Sequence, residues 1–329
     1  MVTIHDVAAR AKVSTATVSR VLSGSASVSS RSRRKVLAAV KALGYRPNAI
    51  ATSLRRRRTF TIGVLVPDIT NPFFSGVART ANRVLFSQGL AAFVVDTDHS
   101  VDVERRFAHL FEGQRVDGFL IISNDASPFF FDELASRVPA IVLVDRPRSD
   151  RLDSVRVDNH TGALQAVAHL AGRGRRKIAI VSGPKELLSA RERLEGFRTA
   201  LRLHNLPEVP EYIAVTGFSV EQGVAATRRL LELTDPPDAI FAGNNTLGIG
   251  AVSAIKALGR RIPDDVALMI FDDLYLAEAA DPPLTVIAQP VTDIGATAAN
   301  LLLEHLKQPS DWHPKEVLLP PQLILRRST

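Results

Sequence analysis

From Phe60 onward the chain repeats one pattern: a short run of apolar, often β-branched residues, then polar turn residues, then a stretch of helical periodicity. The runs are FTIGVLVPD, LAAFVVDTD, VDGFLIIS, AIVLVDRP, KIAIVSGP, EYIAVT, DAIFAGN and VALMIFDD. Each is too continuous to alternate between a wet and a dry face, so it predicts a strand buried on both sides. Repeated β-α units predict parallel sheets with helices on both faces. Eight units are more than one sheet comfortably holds, which predicts two doubly wound parallel-sheet subdomains with a cleft between them. The pattern before residue 60 is different. Thr3 and Asp6 in TIHD have the spacing of a capping box, with Val7, Ala8 and Ala11 on one face of a first short helix. Ser14 opens a second helix with Val18, Val21 and Leu22 inward, ended by Gly24. A third runs from about Ser29 to Leu43, with Val36, Val40 and Leu43 inward and Gly44 as its C-cap. Three short helices with a tight first turn predict a helix-turn-helix head.

The second helix turns an unusual face outward: Thr15, Ala16, Ser19 and Arg20. Such small side chains let a helix approach base edges closely in a DNA major groove, and an arginine reaches guanine O6 and N7. Ser14, Thr17 and Ser19 suit phosphate oxygens. Charge supports this reading. Residues 1–58 hold thirteen Lys or Arg against one acid, Asp6, a balance of +12 within a total of +7, which leaves −5 for the rest. A basic head on an acidic body is the footprint of a nucleic-acid reader joined to something else. The segment YRPNAIATSLRRRR then places Pro47 as a stop, Asn48 as a cap and Ile50 and Leu54 four apart on one side of a very short helix. So short a helix needs a partner to order it. Docking on DNA would supply one, with Leu54 as a wedge in the minor groove and Arg55 to Arg58 near phosphates; a flexible charged linker is the alternative reading.

The remaining composition mostly excludes. The chain has 329 residues, 46% of them hydrophobic and 23% charged, with no cysteine. That removes disulfides and thiolate sites and suits a reducing compartment. MVTIHDVAAR is followed by no long apolar run, so neither an export signal nor a membrane anchor is expected and the localisation read is cytoplasmic. No cofactor and no metal is expected. The eight histidines lack metal-ligand spacing, and no phosphate loop, nucleophile elbow or dinucleotide fingerprint occurs, which points away from an enzyme. LILRRST carries no heptad tail, so a coiled-coil tetramer is not expected. The lone Trp312 reads as packing.

VTIHDVAARAKVSTATVSRVLSG, VLAAVKALGYRPNAIATSLR and TIGVLVPDITNPFFSGV, in this order, resemble the lactose-repressor/galactose-repressor (LacI/GalR) family of bacterial transcription regulators. The resemblance spans nearly the whole chain. It implies an all-α helix-turn-helix DNA-binding head at 1–46, a hinge at 47–58, and an α/β periplasmic-binding-protein-like core at 59–329. The core would divide into an N-subdomain (59–159 and 290–319) and a C-subdomain (160–289 and 320–329). DNA contact is expected from Thr3, Ser14, Thr15, Ala16, Thr17, Ser19, Arg20, Asn48, Ala51, Ser53, Leu54 and Arg55. One departure is VSSRSRRKV, where Arg31, Arg33 and Arg34 stand in place of the family's usual acids at the start of the third helix.

In open α/β sheets ligands bind beyond the carboxyl ends of the strands. Asp68, Asn71, Phe73 and Phe74, Asp96 and Asp98, Ser123 and Asn124, Asp145 and Arg146, Asn244 and Asn245, and Asp272 and Asp273 stand at such ends. Carboxylates, amides and aromatics together suit a hydroxyl-rich ligand. The resemblance sharpens Phe73, Asp145, Arg193, Phe218, Asn244 and Asp272 as effector contacts. With Asn71, Phe74 and Ser123 they complete the expected effector set. Asn245 replaces the family's usual acid, and Leu187 replaces the arginine of purine-responsive members, which favours a sugar. The function implied is a ligand-responsive repressor of a carbohydrate operon, binding palindromic double-stranded operator DNA as a homodimer. The competing reading is a solute-binding protein for sugar transport.

Overall fold

The structure, a computed structural model, describes residues 2–22, 27–45, 58–123, 128–145, 151–273, 275–307 and 312–329, without the side chains of 128 and 129. The expected hinge residues Asn48, Ala51, Ser53, Leu54 and Arg55 lie outside them, as do Gly24, Asn124 and Arg146. The chain forms two compact units, Met1–Thr59 and Phe60–Thr329.

The first unit is built on α1 (Ile4–Ala11), α2 (Thr15–Leu22) and α3 (Ser30–Leu43). Thr3 and Asp6 close a capping box at the start of α1, and Ser14 Oγ accepts the Thr17 amide at the start of α2. Ser29 caps α3, which ends at Gly44 in the left-handed region, φ 59°, where a residue without Cβ is at no disadvantage. Val7, Ala8, Ala11, Val18, Val21, Val36 and Ala39 form the small core. Val40 and Leu43, expected inside, are half-buried, because the axis of the α3 stripe runs through Val36 and Ala39.

The second unit holds two six-stranded sheets. The first has order β11-β5-β4-β3-β1-β2 and the second β12-β10-β9-β8-β6-β7. In the first, β1 is Thr61–Val66, β2 Ala91–Asp96, β3 Gly118–Ile122, β4 Ile141–Val144, β5 Asp153–Val157 and β11 Glu316–Leu319. In the second, β6 is Ile178–Ser182, β7 Ile213–Val215, β8 Ala239–Ala242, β9 Ala267–Phe271, β10 Thr285–Ala288 and β12 Gln322–Ile324. All neighbours are parallel except β12, which runs antiparallel to β10. Strands β3, β4, β6, β8 and β9 are buried throughout, hence their unbroken apolar runs. Each sheet has a core on both faces. The chain passes between sheets three times: after β5, after β10, and between β11 and β12. Among the described residues no helix is long and apolar enough to cross a membrane.

The eight strands expected from the apolar runs are all present. Four others are not apparent in the pattern. Strand β5 carries a fully buried Asp153, whose Oδ1 accepts the Lys315 amide, and Arg156, which ion-pairs with Glu192 and Glu316. Arg156 and one oxygen of Asp153 are held by partners far away in sequence. Strands β10, β11 and β12 are three or four residues long. Trp312 stacks on His305 with ring centres 4.6 Å apart and packs against the first sheet's core.

The last residues are anchored in the second sheet. Ser328 Oγ donates to the Leu268 carbonyl, and Thr329 Oγ1 lies 2.8 Å from His169 Nε2. Burial, aided by Arg173, holds the His169 imidazole below its ordinary pKa of 6.5. The unfolded chain therefore takes up this proton first as pH falls. The contribution to stability is complete above about pH 6.5 and is lost as pH drops through the lowered value. Urea midpoints of the full-length protein should fall between pH 8 and pH 5.5, and His169→Gln should show a shallower fall. Equal slopes would remove His169 from the account.

Candidate functional site

In the first unit, Ala16 and Arg20 are exposed on α2, with Thr15, Thr17 and Ser19 half-buried beside them. Ser14 Oγ and Thr17 Oγ1 lie 3.0 Å apart, bonded to each other at the start of the helix. The Thr3 backbone amide donates to Asp6 Oδ2 at 2.8 Å, and that bond, with the Thr3 hydroxyl bond to the same oxygen, holds the Asp6 carboxyl below its ordinary value. The outward face is thus small, hydroxylated and tipped with an arginine. No acid stands in the first turn of α3, so the positive end of that helix dipole adds to Arg31, Arg33 and Arg34.

In the second unit a cleft of about 460 Å³, its open mouth included, lies at the carboxyl ends of the strands of both sheets. It is lined by Asp68, Asn71, Phe73, Phe74, His99, Asp145, Ser189, Arg193, Phe218, Asn244, Thr246, Asp272 and Gln289. Eight of the expected effector residues are brought together there. Ser123 is not among the lining residues: its hydroxyl donates to the fully buried Glu104 carboxylate. Sequence reasoning missed His99, Ser189, Thr246 and Gln289 as lining residues. They sit in a loop, in first turns of helices and at a crossing between sheets, where no local pattern shows which way a side chain faces.

Local chemistry places each group. Helix α4 (Pro72–Ser87) opens on NPFF: Asn71 Oδ1 accepts the Phe73 amide at 3.0 Å and Pro72 supplies a preset first turn. Phe73 and Phe74 meet edge to face with centres 5.2 Å apart, and Phe74 faces His99 at 6.4 Å. On the other wall Asn244 caps α10 (Asn245–Ala257), its Oδ1 accepting the Leu247 amide at 2.9 Å. Phe218 lies against Gly183, where a Cβ would stand 2.1 Å from the ring, so only glycine leaves it room.

Asp145 and Asp272 hold equivalent places, directly after β4 and β9, the third strands of the two sheet orders. Both are left-handed, φ 59° and 81°, and their amides donate to Val155 and Ile287 of the next strand over. Such a backbone costs about 1–3 kcal/mol in a residue other than glycine. The two acids are thus presented from opposite walls by the same device. The following Asp273 turns away, held by both terminal nitrogens of Arg326 at 2.9 Å.

Arg193, on α8 (Leu188–Leu203), is the centre of the cleft and 4% exposed. Its Nε donates to Asn159 Oδ1 at 2.8 Å and its Nη1 to the Gly243 carbonyl at 2.6 Å, while its flat face covers Phe271, 3.7 Å from the ring centre. Burial pushes the guanidinium pKa down, and Asp272, Asp145 and Glu192 oppose that shift. Burial pushes Asp272 up against Arg193, the Gln289 amide at 2.5 Å and the Asn245 backbone amide. Each ion offsets the other's desolvation, and the arginine stays charged.

Among the described residues, hydrogen bonds join the subdomains across the cleft and behind it. Asn245 Nδ2 donates to Asn71 Oδ1 at 2.8 Å and Asn71 Nδ2 to Asn245 Oδ1 at 3.2 Å, a reciprocal amide pair with both residues buried. Arg156 of β5 donates to Glu192 on α8 at 2.7 Å, and Asn159 Nδ2 donates to the same carboxylate. Among the described residues no cluster of His, Cys, Asp or Glu could hold a metal ion.

Known proteins place the chain. Residues 3–48 match the family model of bacterial regulatory proteins, lacI family, and residues 167–329 that of the periplasmic binding protein-like domain. The ribose operon repressor of Halalkalibacterium halodurans is 35% identical over 330 residues, covering 100% of this chain and 97% of the relative. The lac repressor dimer bound to operator and the anti-inducer ONPF superposes with a TM-score of 0.88 at 27% identity, covering 99% of this chain and 98% of that one. A complex of the transcriptional regulator CelR with cellobiose gives 0.76 at 33% identity with full coverage of both.

Proposed function

Because the chain belongs to the lacI family of bacterial regulatory proteins, a family of transcriptional regulators, we propose that its first unit reads an operator half-site while its cleft senses a sugar. It is a ligand-responsive DNA-binding repressor. In this reading the outward face of α2 enters the major groove, with Arg20 on a guanine and Ser14, Thr17 and Ser19 on phosphates. Residues 47–58 join head to core and place Asn48, Ala51, Ser53, Leu54 and Arg55 on DNA. The cleft binds the effector and returns it unchanged, without catalysis, and the protein works in the cytoplasm.

One observation carries the reading: two acids presented symmetrically around a buried arginine, flanked by Phe73, Phe74 and Phe218, suit the hydroxyls and apolar faces of a sugar ring. The relatives support it, since their names include a ribose operon repressor and a cellobiose-bound regulator. A transport protein would have no use for the DNA-reading unit. A dimer is supported by edge strand β2, which exposes Phe93 (55%) and Val94 (38%), and by the exposed Phe86 of α4 (75%). A bare apolar edge of this kind asks for a covering partner, and two-fold symmetry matches a palindromic site.

Selection of duplexes from a random library with full-length protein should return a palindrome, and a sugar should change its retention. No preference for any duplex, with or without sugars, would overturn the reading. On the selected site Arg20→Ala should cost about 1–3 kcal/mol and relax preference at one position of each half-site. An equal loss on random DNA would remove Arg20 from base reading.

A further inference from the structure

An arginine brings five N–H donors, and in Arg193 two of them hold the group in place while the others stay open to a ligand. Its Nε donates to Asn159 Oδ1 and its Nη1 to the Gly243 carbonyl. A guanidinium is flat and rigid, so these two bonds set the direction in which its remaining donors point. The Gly243 carbonyl is backbone and stays where the strand end puts it. The Asn159 oxygen is different, because half a turn of that amide would set an N–H against the arginine in its place. What prevents the turn lies on the other side of the amide. Asn159 Nδ2 donates to Glu192 Oε2 at 3.1 Å and to the Val157 carbonyl at 3.2 Å.

Glu192 is held in turn from the first sheet. Arg156 of β5 donates from Nη1 to Glu192 Oε1 at 2.7 Å and from Nε to Glu316 Oε1 of β11 at 2.6 Å. Burial works against the Arg156 charge, but the bonds and charges of Glu316 and Glu192 outweigh it, and the guanidinium pKa is raised. One polar chain therefore runs from Glu316 through Arg156, Glu192 and Asn159 to Arg193. It starts on the edge strand of the first sheet and ends on α8, which packs on the second. Glu316, Arg156 and Glu192 are not among the residues lining the cleft, so they act on a ligand there only through the arginine.

Taking the cleft to sense a sugar, we propose that Glu192 and Arg156 are positioning residues for the effector: through Asn159 they aim Arg193, and the first sheet thereby sets the direction of an arginine that the second subdomain carries. The consequence of losing the carboxylate is specific. In Glu192→Gln the one remaining oxygen goes to the charged Arg156, the stronger donor. The new NH2 then faces Asn159 Nδ2, and the Asn159 amide turns to offer it the oxygen that Arg193 Nε had held.

The test reads the arginine directly, through hydrogen exchange of the Arg193 Nε–H in heteronuclear NMR spectra of the full-length protein, with Arg193→Lys identifying the resonance by its loss. In Glu192→Gln this exchange should quicken about tenfold or more, as one lost bond to a charged network requires, while the backbone amides of β9 exchange as before. Calorimetry with D-ribose, D-glucose and cellobiose supplies the second readout: a sugar that binds the wild type should bind the variant about tenfold more weakly. Unchanged Nε–H exchange overturns the inference whatever the sugars do. Exchange that quickens equally along β9 makes Glu192 a general support and overturns its positioning role. Faster Nε–H exchange with undiminished sugar affinity overturns the link to the effector. If none of the three sugars binds the wild type, the sugar reading falls, and the exchange rates alone decide whether Glu192 aims Arg193. Should Glu192→Gln not fold, Arg156→Met, at a half-buried position, carries both readouts with the same expected direction.

Discussion

Arg193→Met should cost about 3–5 kcal/mol of stability and abolish the response to effector. Methionine matches the volume of the arginine stem but removes the charge that Asp272, Asp145 and Glu192 surround. It also leaves the Gly243 carbonyl and Asn159 Oδ1 without donors. Urea unfolding of the core transition gives the loss directly. Adding Asp272→Asn should recover part of it, because the second change removes the charge that the first left unbalanced. Additive losses would mean that the two ions do not support each other, and a loss below about 1 kcal/mol would mean that water enters the cleft far enough to do the work of the arginine.

Phe271→Ala should be comparably damaging, about 3–5 kcal/mol, through the cavity left by a fully buried ring. That ring also fills the space beside Gly162, where a Cβ would stand 2.8 Å from it, so helix α7 (Asn159–Gly172) has packed down upon it. Phe271→Leu separates two roles. Leucine keeps most of the apolar volume, at a cost below about 1.5 kcal/mol for a tolerated swap, but offers the guanidinium no π face. Effector affinity measured by calorimetry should therefore fall more than stability measured by urea. Parallel losses would show that Phe271 supports the cleft only through packing.

The sequence is most legible where one physical demand dominates. Strands covered on both faces must be apolar throughout, and all eight apolar runs are strands, although β2, expected to be buried on both sides, lies at a sheet edge and is largely exposed. The caps Thr3, Ser14, Ser29 and Gly44 are likewise visible, because a helix end must be satisfied within a few residues. Strand β5 is hidden because Arg156 is paired with Glu192 and Glu316, and one oxygen of Asp153 is bonded by the Lys315 amide, 36 to 162 residues away. The cleft was half legible for the same reason. Strand-end acids and NPFF mark its floor, but Gln289 reaches it only through a crossing between sheets and Ser189 only through the first turn of α8. Ser123 shows the converse: a polar strand end whose local partner, Glu104, takes it out of the cleft.

The pair Asn71 and Asn245 gives the two lobes a joint made of neutral amides. With three chain crossings tethering the lobes, a broken pair re-forms as an intramolecular event, so a bond worth only about 1 kcal/mol is enough to bias opening against closing. Neither partner gains or loses a proton in the physiological range. An aspartate at 245 would put a titratable group into the joint; the asparagine keeps the pair itself neutral at every physiological acidity.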